Sequence, residues 1–302
     1  MKSRTLSVLA LMLLAGCADL TVRNTQVVWT SDIKLAAATI VNVGLRISGP
    51  TMVYFDGDEN VVSTVRPQVV ADLEALAPGQ SVVRVADFTA LAQPGNSLLS
   101  NVHAITVRVD PKNLVRESDK SDNVEQRPVP GGAYTCIDFN GIPIGTRYGA
   151  PSQSPGGVVL TQGAVRMSVE AFSFMGGSGS AFNFARVEAA LPAFGNGNVL
   201  HFANINFDFD FTAVIPAVKQ VVLKYGDYGG FENLAINGTP SPIYAGELVT
   251  APSPMGGVIV VANAATFANG KRGALAAVDL AGSIGHLRIG GQELWIDDVC
   301  YR

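Results

Sequence analysis

Ile205-Asn206-Phe207-Asp208-Phe209-Asp210-Phe211 alternates apolar and polar residues without a break. Side chains of an extended strand point to opposite faces with period two. The four apolar residues therefore share one face, and Asn206, Asp208 and Asp210 share the other. The segment reads as a strand buried on one side. Further along, Val221–Tyr225, Val258–Val261 and Leu294–Tyr301 (LWIDDVCY) are runs of strand length. No long 3.6-residue period appears in this half of the chain. The first half repeats the theme in Thr25–Thr30, Ala38–Ile47, Met52–Phe55 and Ile105–Val109. These runs are separated by Gly49-Pro50, Asp56-Gly57-Asp58, Pro78-Gly79, Pro94-Gly95 and Asp110-Pro111, all turn formers. Only Pro67–Leu76 also accommodates a short helix. The expected fold class is all-β: a β-sandwich in the first half, followed by a jelly-roll or similar β-sandwich in the second.

Composition narrows the function. The chain has 302 residues, of which 48% are hydrophobic and 15% charged, so it is not a charged disordered tail. Its 21 Lys and Arg against 25 Asp and Glu leave a net charge of −4, which argues against nucleic acid as a partner. Gly (32) and Pro (16) are plentiful, as short strands and tight turns require.

The beginning of the chain reads as an address. Lys2 and Arg4 precede the apolar run Leu6–Ala15, which is shorter than the roughly 20 residues a helix needs to cross a bilayer. Residues 1–16 are expected to be a signal peptide. Leu14-Ala15-Gly16-Cys17 resembles a bacterial lipobox, in which the cysteine receives the lipid. The resemblance implies lipidation at Cys17 and a membrane partner reached through that lipid anchor. Ala18 after the cysteine resembles the outer-membrane sorting pattern, so the expected location is an outer membrane lipoprotein. Export makes a disulfide between Cys136 and Cys300 the expected state, with two buried thiols as the alternative. The bond would close a loop of about 165 residues, worth roughly 5 kcal/mol in the chain-entropy model. Three scattered histidines (His103, His201, His286) lack the spacing of a zinc site.

Arg127-Pro128-Val129-Pro130-Gly131-Gly132 reads as a boundary. It separates a first domain, 17–128, from a second, 133–302, with 129–132 as linker. In the first domain Asn42-Val43-Gly44 follows a strand and Leu76-Ala77-Pro78-Gly79-Gln80-Ser81 precedes one. Val107-Arg108-Val109-Asp110-Pro111 and Val115–Asn123 follow in order. This succession resembles the bacterial cell-adhesion-related domain, CARDB, an immunoglobulin-like sandwich. The Asp/Ser/Asn cluster near its end reads as turn chemistry.

In the second domain, Cys136-Ile137-Asp138-Phe139-Asn140-Gly141 and Trp295-Ile296-Asp297-Asp298-Val299-Cys300 together resemble the two ends of galactose-binding-like jelly rolls, among them carbohydrate-binding modules. The resemblance implies that the termini of the domain lie together, with a structural Ca²⁺ near Asp138, Asn140 and Asp298. If Cys136 and Cys300 pair across antiparallel strands, Asp138 falls opposite Asp298, and two close carboxylates call for a cation or a shared proton. Phe139 and Ile296 would then face opposite ways, so the register leaves the core face unassigned.

A second cluster, Lys224–Asn233, is rich in glycine, tyrosine and acid. Tyr225, Asp227, Tyr228, Asn233 and Trp295 are the candidate ligand-binding residues, since aromatic faces stack on sugars and short polar groups bond hydroxyls. No Gly-x-Ser-x-Gly elbow, phosphate loop, dinucleotide fingerprint or His-Glu-x-x-His occurs. No catalytic residue is expected, although Glu170, Glu188, Asp208 and Asp210 are carboxylates a polysaccharide hydrolase could use. The expected function is a non-catalytic envelope lipoprotein for adhesion or glycan binding, with a glycan or cell-surface protein as partner. The alternative is a structural or assembly protein of the envelope.

Overall fold

The computed structural model describes residues 17–30, 34–59, 67–88, 91, 102–131, 133–190, 197–267, 270–279 and 282–302. The expected signal peptide, residues 1–16, lies outside them. Strands dominate, and among the described residues the only helical turns are 3₁₀ segments, including Met175–Gly177 and Leu248–Thr250. The chain divides into two compact units, Met1–Gly131 and Gly132–Arg302.

Among the described residues the first unit is a sandwich of seven strands: β1 (Leu20–Trp29), β2 (Lys34–Asn42), β3 (Thr51–Glu59), β4 (Gln68–Leu73), β5 (Ser81–Asp87), β6 (Val102–Val109) and β7 (Val124–Pro128). One sheet has the order β1-β2-β5 and the other β4-β3-β6-β7, all antiparallel. Leu20, Val22, Ile40, Phe55, Ile105 and Val107 fill the space between them. The stretch that could accommodate a helix is strand β4: Val69, Ala71 and Leu73 pack on the core at every second residue. A helix would turn that stripe away from β3, to which the segment is hydrogen-bonded. Val129, expected in the linker, belongs to this unit, because its N–H bonds the His103 carbonyl at 2.7 Å and its side chain packs on the core.

The polar motifs of this unit have structural tasks. The Asn42 amide is fully used: Oδ1 accepts from the N–H groups of Asp19 (3.2 Å) and Gly44 (3.0 Å), and Nδ2 donates to the carbonyls of Arg46 and Leu76 (both 2.7 Å). Gly44 lies so close to the segment before β1 that a Cβ there would sit 2.5 Å from the Cys17 carbonyl oxygen. Asp110, 2% exposed, accepts from Thr51 Oγ1 (2.7 Å) and the N–H groups of Leu114 (2.8 Å) and Val115 (3.0 Å). Glu117 accepts from the Leu20 N–H (2.9 Å) and Asn123 Nδ2 (2.7 Å). The acidic and amide cluster is thus a corner held by hydrogen bonds.

The second unit is a larger sandwich. It runs β8 (Thr135–Ile137), β9 (Arg147–Gly149), β10 (Val158–Gln162), β11 (Val165–Ser173), β12 (Ser180–Ala181), β13 (Phe184–Ala189), β14 (Asn198–Ala203) and β15 (Ile205–Asp210). It continues β16 (Gln220–Asp227), β17 (Glu232–Ile236), β18 (Thr239–Gly246), β19 (Val258–Phe267), β20 (Gly270–Asp279), β21 (His286–Gly291) and β22 (Leu294–Tyr301). One sheet has the order β10-β11-β15-β21-β17-β18, with β12 beside β11. The other has β19-β20-β16-β22-β14-β13-β9, with β8 beside β22. From β14 onward the chain passes repeatedly between the sheets. Ile205, Phe207, Phe209 and Phe211 are all buried in the shared core, as their alternation predicts.

Cys136 and Cys300 form a disulfide and stand opposite each other in the ladder between β8 and β22. The core-face conflict between Phe139 and Ile296 is resolved by a bulge. Between Val222 and Lys224 of β16, strand β22 carries one extra residue, with Asp298 at φ 48°. The extra residue shifts the inward phase, so Leu294 and Ile296 before it and Val299 and Tyr301 after it all enter the core beside Ile137 and Phe139. Strand β1 uses the same device at Asn24 (φ 53°), which lets Leu20 and Val22 share a core with Val27.

Candidate functional site

Three polar constellations stand out in the second unit, and the predicted ligand residues divide among them. Along β16, Val221, Leu223, Tyr225 and Asp227 face the core side, while Lys224 lies on the other face, followed beyond the strand end by Tyr228. Tyr225 is 2% exposed and Asn233 fully buried. Asn233 accepts from the Ser173 N–H (2.7 Å) and Asn206 Nδ2 (3.1 Å) and donates to the Ser173 carbonyl. Both residues are structural here. Of the five ligand candidates only Tyr228 and Trp295 meet at the surface.

They do so on the outer face of the larger sheet. Register aligns Arg186 of β13, His201 of β14, Trp295 of β22 and Gly226 of β16 in one row across the strands. The His201 ring lies parallel to the Trp295 indole with centroids 4.0 Å apart, and the Tyr228 ring approaches Trp295 at 4.7 Å and 71°. Glu188 binds the row together: it accepts from Trp295 Nε1 (3.1 Å), His201 Nδ1 lies 3.1 Å away, and Arg186 Nε donates to it at 2.8 Å. Burial raises the Glu188 carboxyl, but the donors Arg186, Trp295 and His201 outweigh it and hold the group below the usual carboxylate range. Arg272 Nη2 donates to the Tyr228 hydroxyl at 2.9 Å. Because His201 already covers one face of Trp295, the indole is a packed member of the row and not an open platform.

The second constellation lines a groove on the outer face of the other sheet. It is about 420 Å³ and is bounded by Asp208, His286, Arg288, Ala235, Asn237, Gly238, Pro240, Ser241 and Ile243. Asp208 stands opposite Arg288, and Asp210 opposite His286. His286 Nδ1 lies 2.9 Å from Asp208 Oδ2, and Arg288 is 3.9 Å from Asp208 and 3.7 Å from Glu170. The side chains of His286 and Arg288 are 43% and 39% exposed, so both can reach a ligand. The alternation in His286-Leu287-Arg288-Ile289 is the sequence signal that puts His286 and Arg288 on one face.

The third constellation is internal. One carboxylate oxygen from each of Asp227, Glu232 and Glu247 lies within 4.8 Å of the others, and Lys271 contacts Glu247 and lies 3.9 Å from Asp227. Glu232 is 1% exposed, and neither of its oxygens meets a hydrogen-bond partner of proper geometry. Burial, then the charges of Asp227 and Glu247, push its carboxyl up to about 9. The same three carboxylates, after burial, push the Tyr225 phenol up.

Two of the predicted metal residues at the ends of the unit meet protein partners. Asp298 takes Lys224 Nζ at 2.7 Å, so its counter-charge is an ammonium group. Asn140 Oδ1 accepts the Asn198 N–H at 2.7 Å, fixing the turn before β14. Asp138 lies near enough to Asp297 to raise it, after burial and Asp298, to about 6.

Comparison with known proteins bears on the first unit. Residues 17–127 match the family described as CARDB. The first unit contains a CARDB domain. The Asn42 and Gly44 contacts and the Asp110–Asn123 corner are the physical content of the motifs by which CARDB was expected. Among curated proteins none matches the chain. One solved structure, the Bacillus thuringiensis insecticidal crystal protein Cry7Ca1, aligns with 12% identity and a TM-score of 0.14, over 94% of this chain and 52% of that one. The chain thus spans about half the length of that protein, and a likeness this slight carries no argument about fold or function.

Proposed function

We propose that the protein is a non-catalytic, lipid-anchored adhesion protein of the outer membrane whose second unit binds a hydroxyl-rich ligand such as a glycan. The groove carries this reading. Arg288, His286 and Asp208 present donors and acceptors side by side on rigid strands, which suits bonding to paired sugar hydroxyls. Its volume falls within the usual range for small-ligand sites, about 300–1,000 Å³.

The anchoring half of the reading rests on the CARDB domain. The N–H of Leu45 bonds the Cys17 carbonyl at 3.1 Å, and that of Val43 bonds the Asp19 carbonyl at 2.8 Å. The loop so held exposes Val43 (42%), Leu45 (76%) and Ile47 (67%). Apolar side chains beside a lipidated cysteine add buried area at the bilayer surface, and Arg46 between them suits anionic headgroups.

Retention of the full chain on a glycan array, lost in Arg288→Ala and Asp208→Asn while circular dichroism is unchanged, is the expected result. Absence of retention on every glycan, together with specific capture of an envelope protein, would replace this reading with the assembly role. Cys17→Ser is expected to move the protein from the membrane to the soluble fraction.

A further inference from the structure

Asp227, Glu232 and Glu247 are brought together from separate parts of the second unit. Asp227 closes β16 on the side of Tyr225, and Glu232 opens β17 on the side of Leu234 and Ile236. The two sheets therefore each contribute one carboxylate. Glu247 follows β18 and precedes the turn Leu248–Thr250. We propose that these three carboxylates hold a divalent metal ion, with Ca²⁺ the best fit.

Three observations carry the assignment, and none depends on the glycan reading. The first is spacing: an oxygen from each residue lies within 4.8 Å of the other two, so one ion can touch all three. The second is the state of Glu232. It is 1% exposed, it points into the cluster, and both its oxygens lack hydrogen-bond partners. Buried carboxylates are ordinarily satisfied by donors, and an orphaned one marks a place where a further group completes the site. The third is charge. Three carboxylates against Lys271, the ammonium group that pairs with them, leave an excess of two negative charges, which a divalent ion balances.

Donor chemistry then selects the ion. All three ligands are carboxylate oxygens, with no imidazole or thiolate, which favours a hard cation over zinc or copper. Ca²⁺ accepts irregular oxygen cages drawn from distant segments, whereas Mg²⁺ demands near-octahedral geometry and sheds water reluctantly. Asp227 Oδ1 also accepts the Gly229 N–H at 2.9 Å, so an ion here fixes the turn between β16 and β17 that bears Tyr228. This site is separate from Asp138, Asn140 and Asp298, where the strand ends suggested calcium.

The test is a thermal melt of the EDTA-stripped full chain, with calcium chloride or magnesium chloride added back, alongside equilibrium dialysis with radioactive calcium. Wild type is expected to bind one calcium ion. Its second-unit transition is expected to rise by about 5–10 °C when calcium exceeds its dissociation constant a hundredfold. Glu232→Gln and Asp227→Asn should abolish both binding and shift, and Asp138→Asn should change neither. A wild-type chain that binds no calcium in dialysis overturns the proposal and leaves Glu232 holding a proton. Loss of binding in Asp138→Asn with retention in Glu232→Gln overturns it too, placing the ion at the strand ends.

Discussion

The two units bury acids in opposite ways. In the CARDB domain Asp110 is 2% exposed and accepts three good hydrogen bonds, and Asp56, equally buried, receives Arg108 Nε at 3.0 Å. In the second unit Glu232 is as deeply buried, yet its oxygens are orphaned and its nearest charged neighbours include two more carboxylates. The first arrangement is complete as it stands, and its acids are part of the scaffold. The second is incomplete, which is what separates a structural acid from one waiting for a ligand.

The largest effect expected from breaking this contrast lies in the covalent clamp. Cys136→Ser or Cys300→Ser opens a loop of 164 residues in the second unit only. The denaturation transition of that unit is expected to lose about 3–5 kcal/mol, while the CARDB transition stays in place. Coincident shifts of both transitions would show that the units do not unfold separately.

Next come paired acid-to-amide changes, which should differ in sign. Asp110→Asn removes an acceptor from buried backbone donors and should destabilise the CARDB domain by about 1–3 kcal/mol in urea titrations. Burial holds the metal-free Glu232 carboxyl at about 9, so at pH 7 folding forces it to take up a proton; Glu232→Gln has no such cost and in EDTA should stabilise the second unit by about 1–3 kcal/mol. Destabilisation in both cases would erase the distinction drawn here.

Asp297 offers a pH test of intermediate size. It is 5% exposed, and burial, followed by Asp298, raises its carboxyl from 3.8 to about 6. The folded state therefore binds the proton more tightly than the unfolded state does. The contribution of Asp297 to stability is therefore greatest below pH 4 and is lost as pH rises through about 6, by roughly 1–3 kcal/mol. Midpoints of the second unit measured from pH 4 to 7 should decline in wild type and stay flatter in Asp297→Asn. The smallest effect is expected at the surface: Arg186→Ala breaks an ion pair whose arginine is 44% exposed and should cost less than about 1 kcal/mol.

Much of the fold was legible because period two is a strong signal when one face is buried. Ile205–Phe211 and Leu294–Tyr301 are strands over nearly the ranges read from sequence. The bulge at Asp298 was not legible, because a left-handed aspartate leaves no trace in composition, and without it Phe139 and Ile296 appear to conflict. The predicted ligand residues divide between core and surface for a reason the same rule contains. Tyr225 and Tyr228 are three residues apart, an odd number, so along an extended chain they face opposite ways. Pro67–Leu76 misled because its apolar spacing fits both periods, and pairing with β3 decides between them. Glu247 reaches Asp227 and Glu232 through a turn after β18, a meeting that only the tertiary structure creates.

The central claim is that the orphaned acid of the second unit is half of a cation site. Anomalous diffraction from crystals grown with manganese, a scattering substitute for calcium, tests it most directly. The account predicts one anomalous peak among the carboxylates of Asp227, Glu232 and Glu247. A peak elsewhere, or a clean map with Glu232 hydrogen-bonded to Asp227 through a shared proton, would contradict it.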